Sequence, residues 1–281
     1  MKVAIIGTGT MGNGIAQAFA QAGYDVVMKD LNQDFLQRAI GNIDRSLSRL
    51  VSKEQLTVTE KDQILGRIAT TLSYDDIKDC ALVVEAIAEN MELKKRVFGE
   101  LDQVCQQDCI LASNTSSLSI TEIAAATQRP DRVIGMHFFN PVPVLKLVEV
   151  IRGQLTSDEV YDKISSITRD IQKVPVEITE APGFLVNRLL IPMINEGIAA
   201  YADGVASKED IDEAMKLGAG HPIGPLALAD LVGLDVCLAI MEVLHREFGD
   251  DKYRPHPLLR KMVRANQLGR KTGRGFYDYA K

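Results

Sequence analysis

The chain has 281 residues, 46% apolar and 25% charged, which suits two domains and excludes a disordered polymer. Lys and Arg number 32 against 38 Asp and Glu, and the net charge of −6 excludes a general attraction to nucleic acid. Any phosphate-bearing ligand therefore needs a local site.

Val3-Ala4-Ile5-Ile6 is a continuous apolar run, the pattern of a parallel strand buried on both faces. Gly7-Thr8-Gly9-Thr10-Met11-Gly12 follows at once, and then a helical pattern over 13–22 that Gly23 closes. Asp25-Val26-Val27-Met28 reads as the next strand, ending at Lys29-Asp30. Over 35–50 apolar residues recur at Leu36, Ile40, Ile43, Leu47 and Leu50, one face of an amphipathic helix. A second helix is expected from Thr59, with Thr59 as its cap and Asp62 three residues on. Two helices exceed a simple crossover, so a helical hairpin, about 34–66, is predicted between the second and third strands. Further strands are expected at 68–71, 82–86, 110–113, 133–137 and 145–150, with helical patterns between several of them. This is the signature of an open, mostly parallel α/β sheet with helices on both faces. After 174–178 the texture changes. Ala181-Pro182-Gly183 is a break, and from Phe184 the pattern is helical, so the domains are expected to be 1–183 and 184–281. Cys105 and Cys109 are spaced for successive helical turns, and with Cys80 and Cys237 they suit neither a disulfide framework nor a zinc site. The expectation is a cytoplasmic protein with free thiols, no metal, no membrane span and no targeting leader.

The glycine run has the context that a dinucleotide-binding turn requires: a strand before it, a helix after it, and an acid at the end of the next strand. Gly7 permits the tight turn, Gly9 lets the backbone approach a pyrophosphate, and Gly12 allows close helix–strand packing. The helix N-terminus supplies N–H donors for the phosphates. Asp30 would accept hydrogen bonds from a ribose and repel a 2′-phosphate, which favours NAD over NADP. Lys29 beside it partly offsets that repulsion.

Ser113-Asn114-Thr115-Ser116-Ser117 ends one strand, and Met136-His137-Phe138-Phe139-Asn140-Pro141 ends the following one. Both would lie at the carboxyl edge of the sheet, where ligands bind in such folds. His137 there, with the acid Glu149 on a neighbouring element, is a candidate acid–base pair. Asn187 opens the helical domain. A nucleophilic-serine enzyme built on Ser116, His137 and Glu149 is rejected, because SNTSS is not a strained GxSxG elbow.

The runs SNTSSLSI, HFFNPVPVLKLVEV, APGFLVNRLL and SKEDIDEAMKLGAGHPIGP, and the closing GRGFYDY, resemble the L-3-hydroxyacyl-CoA dehydrogenase family over essentially the whole chain. The resemblance implies a Rossmann-type domain followed by an all-helical domain that forms a homodimer. It implies an NAD-dependent exchange between short-chain 3-hydroxyacyl-CoA and 3-oxoacyl-CoA in the cleft between the domains. His137 would be the general base, Glu149 its orienting carboxylate, and Ser116 and Asn187 the hydrogen-bond partners of the reacting oxygen. Glu89, Lys94 and Asn114 would lie near the cofactor, with Thr8, Thr10 and Met11 in its loop. Ser46 and Lys53 would contact coenzyme A, with Arg49 as a helper and Asn140 on the substrate side. Arg45, Ser46, Arg49 and Lys53 gather on one side of the first hairpin helix, and a small basic patch suits the phosphates of coenzyme A. The apolar stretch 226–244 exceeds what one helix face needs and fits a dimer interface, with the unit's internal core as the alternative. Two rivals stay open: a dehydrogenase of a free hydroxy or sugar acid, and a non-catalytic NAD-binding protein.

Overall fold

A computed structural model describes residues 1–279. The chain divides into two compact units, the first Met1–Ala181 and the second from Pro182 onward.

The first unit opens with β1 (Lys2–Ile6), α1 (Thr10–Gln21) and β2 (Asp25–Lys29). Helix α1 begins three residues before the predicted start, so Thr10, Met11 and Gly12 belong to its first turn rather than to a loop. A Cβ at Gly12 would lie 1.9 Å from the Gly7 carbonyl oxygen, so glycine there is what lets α1 close onto the turn. Next come α2 (Gln33–Ser52), α3 (Val58–Gly66) and β3 (Ile68–Thr71), which form the helical hairpin and the strand after it. Leu36, Ala39, Ile43 and Leu47 form the buried stripe of α2. Helix α3 starts earlier than expected. Thr57, not Thr59, is its cap, because Thr57 and Glu60 form a reciprocal capping box with both backbone N–H groups satisfied. Lys61 on α3 reaches back to Asp44 at 2.7 Å and Ser48 at 3.2 Å on α2.

The remainder of the unit is β4 (Leu82–Glu85), α4 (Met91–Val104), β5 (Ile110–Ser113), α5 (Ile120–Ala124), β6 (Val133–Phe138), β7 (Leu147–Arg152), α6 (Asp158–Asp170) and β8 (Val174–Thr179). One eight-stranded sheet runs in the order β3-β2-β1-β4-β5-β6-β7-β8. All neighbours are parallel except β6 and β7. The connection 139–146 is too short to cross the sheet, so the chain must return antiparallel. Strand β7 begins two residues later than predicted, because Val144 and Leu145 both donate to the Pro141 carbonyl and are held in a turn. Cys105 and Cys109 are not on successive helical turns: Cys105 caps the end of α4, and Cys109 follows a turn into β5. All four cysteines are buried free thiols.

The second unit is helical: α7 (Val186–Ala202), α8 (Lys208–Ala219), α9 (Pro225–Val232), α10 (Leu234–Phe248) and α11 (Pro257–Arg264). Ile191, Ile194 and Ile198 of α7 pack with Leu226, Leu234, Met241, Leu244, Leu259 and Met262. Much of the stretch 226–244 therefore fills the unit's own core, while Leu231 and Val236 stay exposed. Of that stretch, the side chains left over for an interface are exposed ones such as these two. Two buried carboxylates tie the ends together. Asp212 accepts from Leu226 and Ala227 N–H and from the Tyr277 hydroxyl. Asp230 accepts from Phe276 and Tyr277 N–H and from the Tyr279 hydroxyl. The closing GRGFYDY run is thus a strap: a Cβ at Gly275 would lie 1.9 Å from Asp230 Oδ1. Among the described residues no helix is long and apolar enough to cross a membrane, and no cluster of three or more His, Cys, Asp or Glu could hold a metal ion.

Candidate active site

The carboxyl ends of β1, β2 and β4 enclose a cavity of about 670 Å³ in the first unit. Gly7, Thr8 and Gly9 form one wall and Asp30 another. Gly7 has φ +88°, a conformation that a side chain rarely adopts, and its Cβ would meet the Ala86 carbonyl oxygen at 2.8 Å. A Cβ at Gly9 would meet nothing within 4 Å, so the fold itself leaves that face of the turn open for a ligand to approach. Asp30 is pre-aimed. Its Oδ2 accepts from the Thr8 N–H at 2.7 Å and the Thr8 hydroxyl at 2.6 Å, and its Oδ1 accepts from the Leu31 N–H at 2.7 Å. An open glycine turn at a helix N-terminus beside an oriented carboxylate fits the pyrophosphate and ribose of a dinucleotide. The cavity wall also contains Lys29, Phe35, Arg38, Tyr74, Arg96 and Glu100, which sequence reasoning did not single out apart from Lys29. Tyr74 sits on a loop far along the chain from the glycine run, where no local pattern marks it.

A buried charge network lies behind the ends of β4 and β5. Glu85, fully buried, accepts from Lys94 Nζ at 2.6 Å, from Ser113 Oγ at 2.7 Å and from the Ile87 N–H at 2.7 Å. Lys94 Nζ also lies 3.5 Å from Glu89. Glu89 in turn accepts from the Thr115 hydroxyl, the Ser116 N–H and the Ser116 hydroxyl at 2.6, 2.8 and 3.0 Å. Burial pushes the Glu89 carboxyl up, but the Lys94 ammonium and these donors outweigh it and hold the group below its ordinary value. Of the residues expected near the cofactor, Lys94 thus has its ammonium committed to two carboxylates, and Glu89 gathers the SNTSS turn. Asn114 accepts the Phe138 N–H at 2.9 Å and ties the end of β5 to the end of β6. Glu85 was missed, although an acid closing an apolar strand, like Asp30, was the available signal.

His137 and Glu149 are directly opposite each other across the antiparallel pair β6–β7. Facing residues of such a pair have their Cβ atoms about 5 Å apart, within reach of one imidazole and one carboxylate. His137 Nδ1 lies 2.7 Å from Glu149 Oε2, with both side chains buried. The Phe139 ring packs on the imidazole with centroids 4.4 Å apart. A carboxylate at Nδ1 selects the tautomer in which Nδ1–H donates to Glu149, and Nε2 is left as the basic nitrogen. The turn after β6 carries the exposed Asn140 and is held from beneath by Lys173, whose buried ammonium donates to the carbonyls of Val142 and Leu145 at 2.5 and 2.8 Å. Burial and the nearby Lys146 push the Lys173 amine below its ordinary value. Nothing in the local sequence pointed to Lys173.

Ser46, Arg49 and Lys53 lie along α2 and its end, with Lys53 as the C-cap residue. Arg45, Arg49 and Lys53 are exposed and Ser46 is half-buried. Asn187 is the second residue of α7 and belongs to the second unit.

Two family models match the chain: "3-hydroxyacyl-CoA dehydrogenase, NAD binding domain" over residues 2–181, and "3-hydroxyacyl-CoA dehydrogenase, C-terminal domain" over residues 183–279. A 3-hydroxybutyryl-CoA dehydrogenase of Clostridioides difficile is 60% identical over 281 residues, which cover 100% of both chains. The mitochondrial hydroxyacyl-coenzyme A dehydrogenase of Homo sapiens is 45% identical over 284 residues, covering 99% of this chain and 90% of its own. The crystal structure of (S)-3-hydroxybutyryl-CoA dehydrogenase from Ralstonia eutropha matches with a TM-score of 0.98 at 53% identity, covering 100% of this chain and 99% of the other.

Proposed function

The chain belongs to the 3-hydroxyacyl-CoA dehydrogenase family, and on that premise we propose that it interconverts (S)-3-hydroxybutyryl-CoA, or another short-chain 3-hydroxyacyl-CoA, and its 3-oxoacyl-CoA with NAD(H). The observation that carries the reading is the buried 2.7 Å contact between His137 Nδ1 and Glu149 Oε2, which leaves Nε2 to exchange a proton. Gly7, Thr8, Gly9, Thr10, Met11 and Gly12 would hold the dinucleotide's pyrophosphate through the turn and the start of α1, and Asp30 would hold its ribose. The nicotinamide supplies the hydride acceptor, or the donor in the reverse direction.

The protein's own part is proton transfer and electrostatics. Nε2 of His137 takes the 3-hydroxyl proton during oxidation and returns it during reduction, work worth roughly 10² to 10⁴ in rate. Glu149 holds the ring and stabilises the imidazolium that forms, as the buried acid does in a Ser-His-Asp triad. Ser116 and Asn187 are assigned to hydrogen bonds with the 3-oxygen, where charge builds. Asn140, exposed on the turn that follows His137, is assigned to the substrate.

The assay that tests the activity is NADH oxidation with acetoacetyl-CoA, run beside free acetoacetate. Fast turnover confined to the CoA ester is expected. Turnover of the free acid would overturn the substrate class, and NADH binding without turnover would overturn catalysis.

The hairpin is assigned to coenzyme A, with Ser46, Arg49 and Lys53 facing its phosphates. Lys53→Ala is expected to raise KM for acetoacetyl-CoA about threefold to tenfold, the worth of one exposed charge-assisted contact. The KM for the matching N-acetylcysteamine thioester, which lacks the nucleotide, should not move. Equal effects on both substrates would rule the hairpin out as the CoA site.

For assembly, the reading is a homodimer through the second unit, where Leu189, Leu217 and Leu231 are large apolar side chains more than half exposed. The four buried free thiols suit a reducing cytoplasm.

A further inference from the structure

The glycine-loop cavity has a cation built into its wall. Lys29 is the last residue of β2 and lines the cavity beside Asp30. Only 6% of Lys29 is exposed, and its Nζ lies 3.9 Å from the centroid of the Tyr74 ring. No carboxylate of the described residues forms an ion pair with it. A buried ammonium needs polar or aromatic groups around it to replace water. The ring face supplies part of the compensation as a cation–π contact.

Tyr74 is itself anchored. Burial pushes its hydroxyl up to about 12, and the charge and hydrogen bond of Glu100 push in the same direction, so the ring stays neutral beneath the ammonium. Arg38, stacked on Phe35, and Arg96 also line the cavity. Three cationic residues, Lys29, Arg38 and Arg96, therefore line the cavity together with two acidic ones, Asp30 and Glu100. Thr8 and Leu31 hold Asp30 in place, so it meets any dinucleotide in the same orientation.

Two adjacent residues of opposite charge thus line one cavity. The ribose edge that Asp30 would bind carries a free hydroxyl in NADH and a phosphate in NADPH. Asp30 would repel that phosphate, whereas the Lys29 ammonium would attract it. We propose that Lys29, seated on Tyr74, is a second specificity-determining residue of the cofactor site: it makes the cavity competent for a 2′-phosphorylated nicotinamide dinucleotide, and Asp30 sets the preference against it. The proposal rests on the NAD(H) reading above and deepens it.

The test is an equilibrium titration of the full-length protein with NADH and with NADPH, followed by nicotinamide fluorescence without acyl-CoA. Wild type, Asp30→Ser, Lys29→Met and the double variant are compared. Asp30→Ser is expected to weaken NADH about tenfold and tighten NADPH about tenfold, the range of one hydrogen bond to a charged group. Lys29→Met is expected to weaken NADPH about tenfold and change NADH less than about threefold, and in the double variant to cancel the NADPH gain. A Lys29→Arg protein should keep NADPH binding and separates loss of charge from misfolding of the methionine variant. Equal weakening of both dinucleotides by Lys29→Met, or a full NADPH gain in the double variant, would overturn the proposal. Failure of the wild type to bind either dinucleotide would overturn the NAD(H) reading and this proposal with it.

Discussion

His137→Gln is expected to lower kcat by roughly 10²-fold or more while the KM for acyl-CoA stays within about threefold, because in the proposed mechanism the lost step is proton transfer and not binding. Glutamine is the informative replacement. Its amide can still donate to Glu149, so that buried carboxylate is not left without a partner. The volume against Phe139 is nearly kept as well. What disappears is the basic nitrogen. Steady-state rates with acetoacetyl-CoA and NADH, wild type beside variant, would check this. Near-normal turnover would sink the proton-transfer role. A rise in KM alone would make His137 a binding residue.

Lys94→Met is expected to cost about 3–5 kcal/mol of stability, because it removes one partner of a fully desolvated ion pair. Glu85 has no exposed surface and Lys94 only 1%. Without the ammonium, Glu85 keeps two neutral donors, Ser113 and the Ile87 N–H, for a charge buried in the sheet. Glu89 loses its cation too and keeps only the SNTSS donors. In a thermal melt of the whole protein the loss should lower Tm by on the order of 10 °C. Combining it with Glu85→Gln should restore most of that, since the uncompensated charge is then gone. An unchanged Tm in the single variant would mean that water reaches the pair. The network supports the turn that carries Ser116, so the variant should also lose kcat more than its folded fraction explains.

Much of this was legible in the primary structure. The runs at 68–71 and 110–113 were expected as strands and are β3 and β5 to the residue, because apolar β-rich runs bounded by turns leave little freedom. The glycine turn was legible because its chemistry is backbone chemistry, written in residues without a Cβ. Errors arose where two local signals were equivalent or where packing decided. Thr57 and Thr59 each precede an acid by three residues, and the longer Glu60 side chain completes the capping box that Asp62 does not. For the stretch 226–244, hydrophobicity does not say which neighbour covers a side chain, and α7, α9, α10 and α11 largely cover one another.

The sequence by itself determined the α/β unit with its helical hairpin, the helical second unit and the glycine turn with Asp30 after it. Periodicity, glycine spacing and strand ends are properties of neighbours along the chain, and they survive in a one-dimensional reading. The tertiary structure alone decided the contacts between residues far apart in sequence. The antiparallel return of β7 sets Glu149 opposite His137. Lys94 finds Glu85 and Glu89 in the interior, Lys173 pins the turn after β6, and Tyr74 lies under Lys29 in the glycine-loop cavity. Each joins a charge to a partner supplied by another element, and the desolvation that makes such contacts strong exists only once the sheet has closed around them.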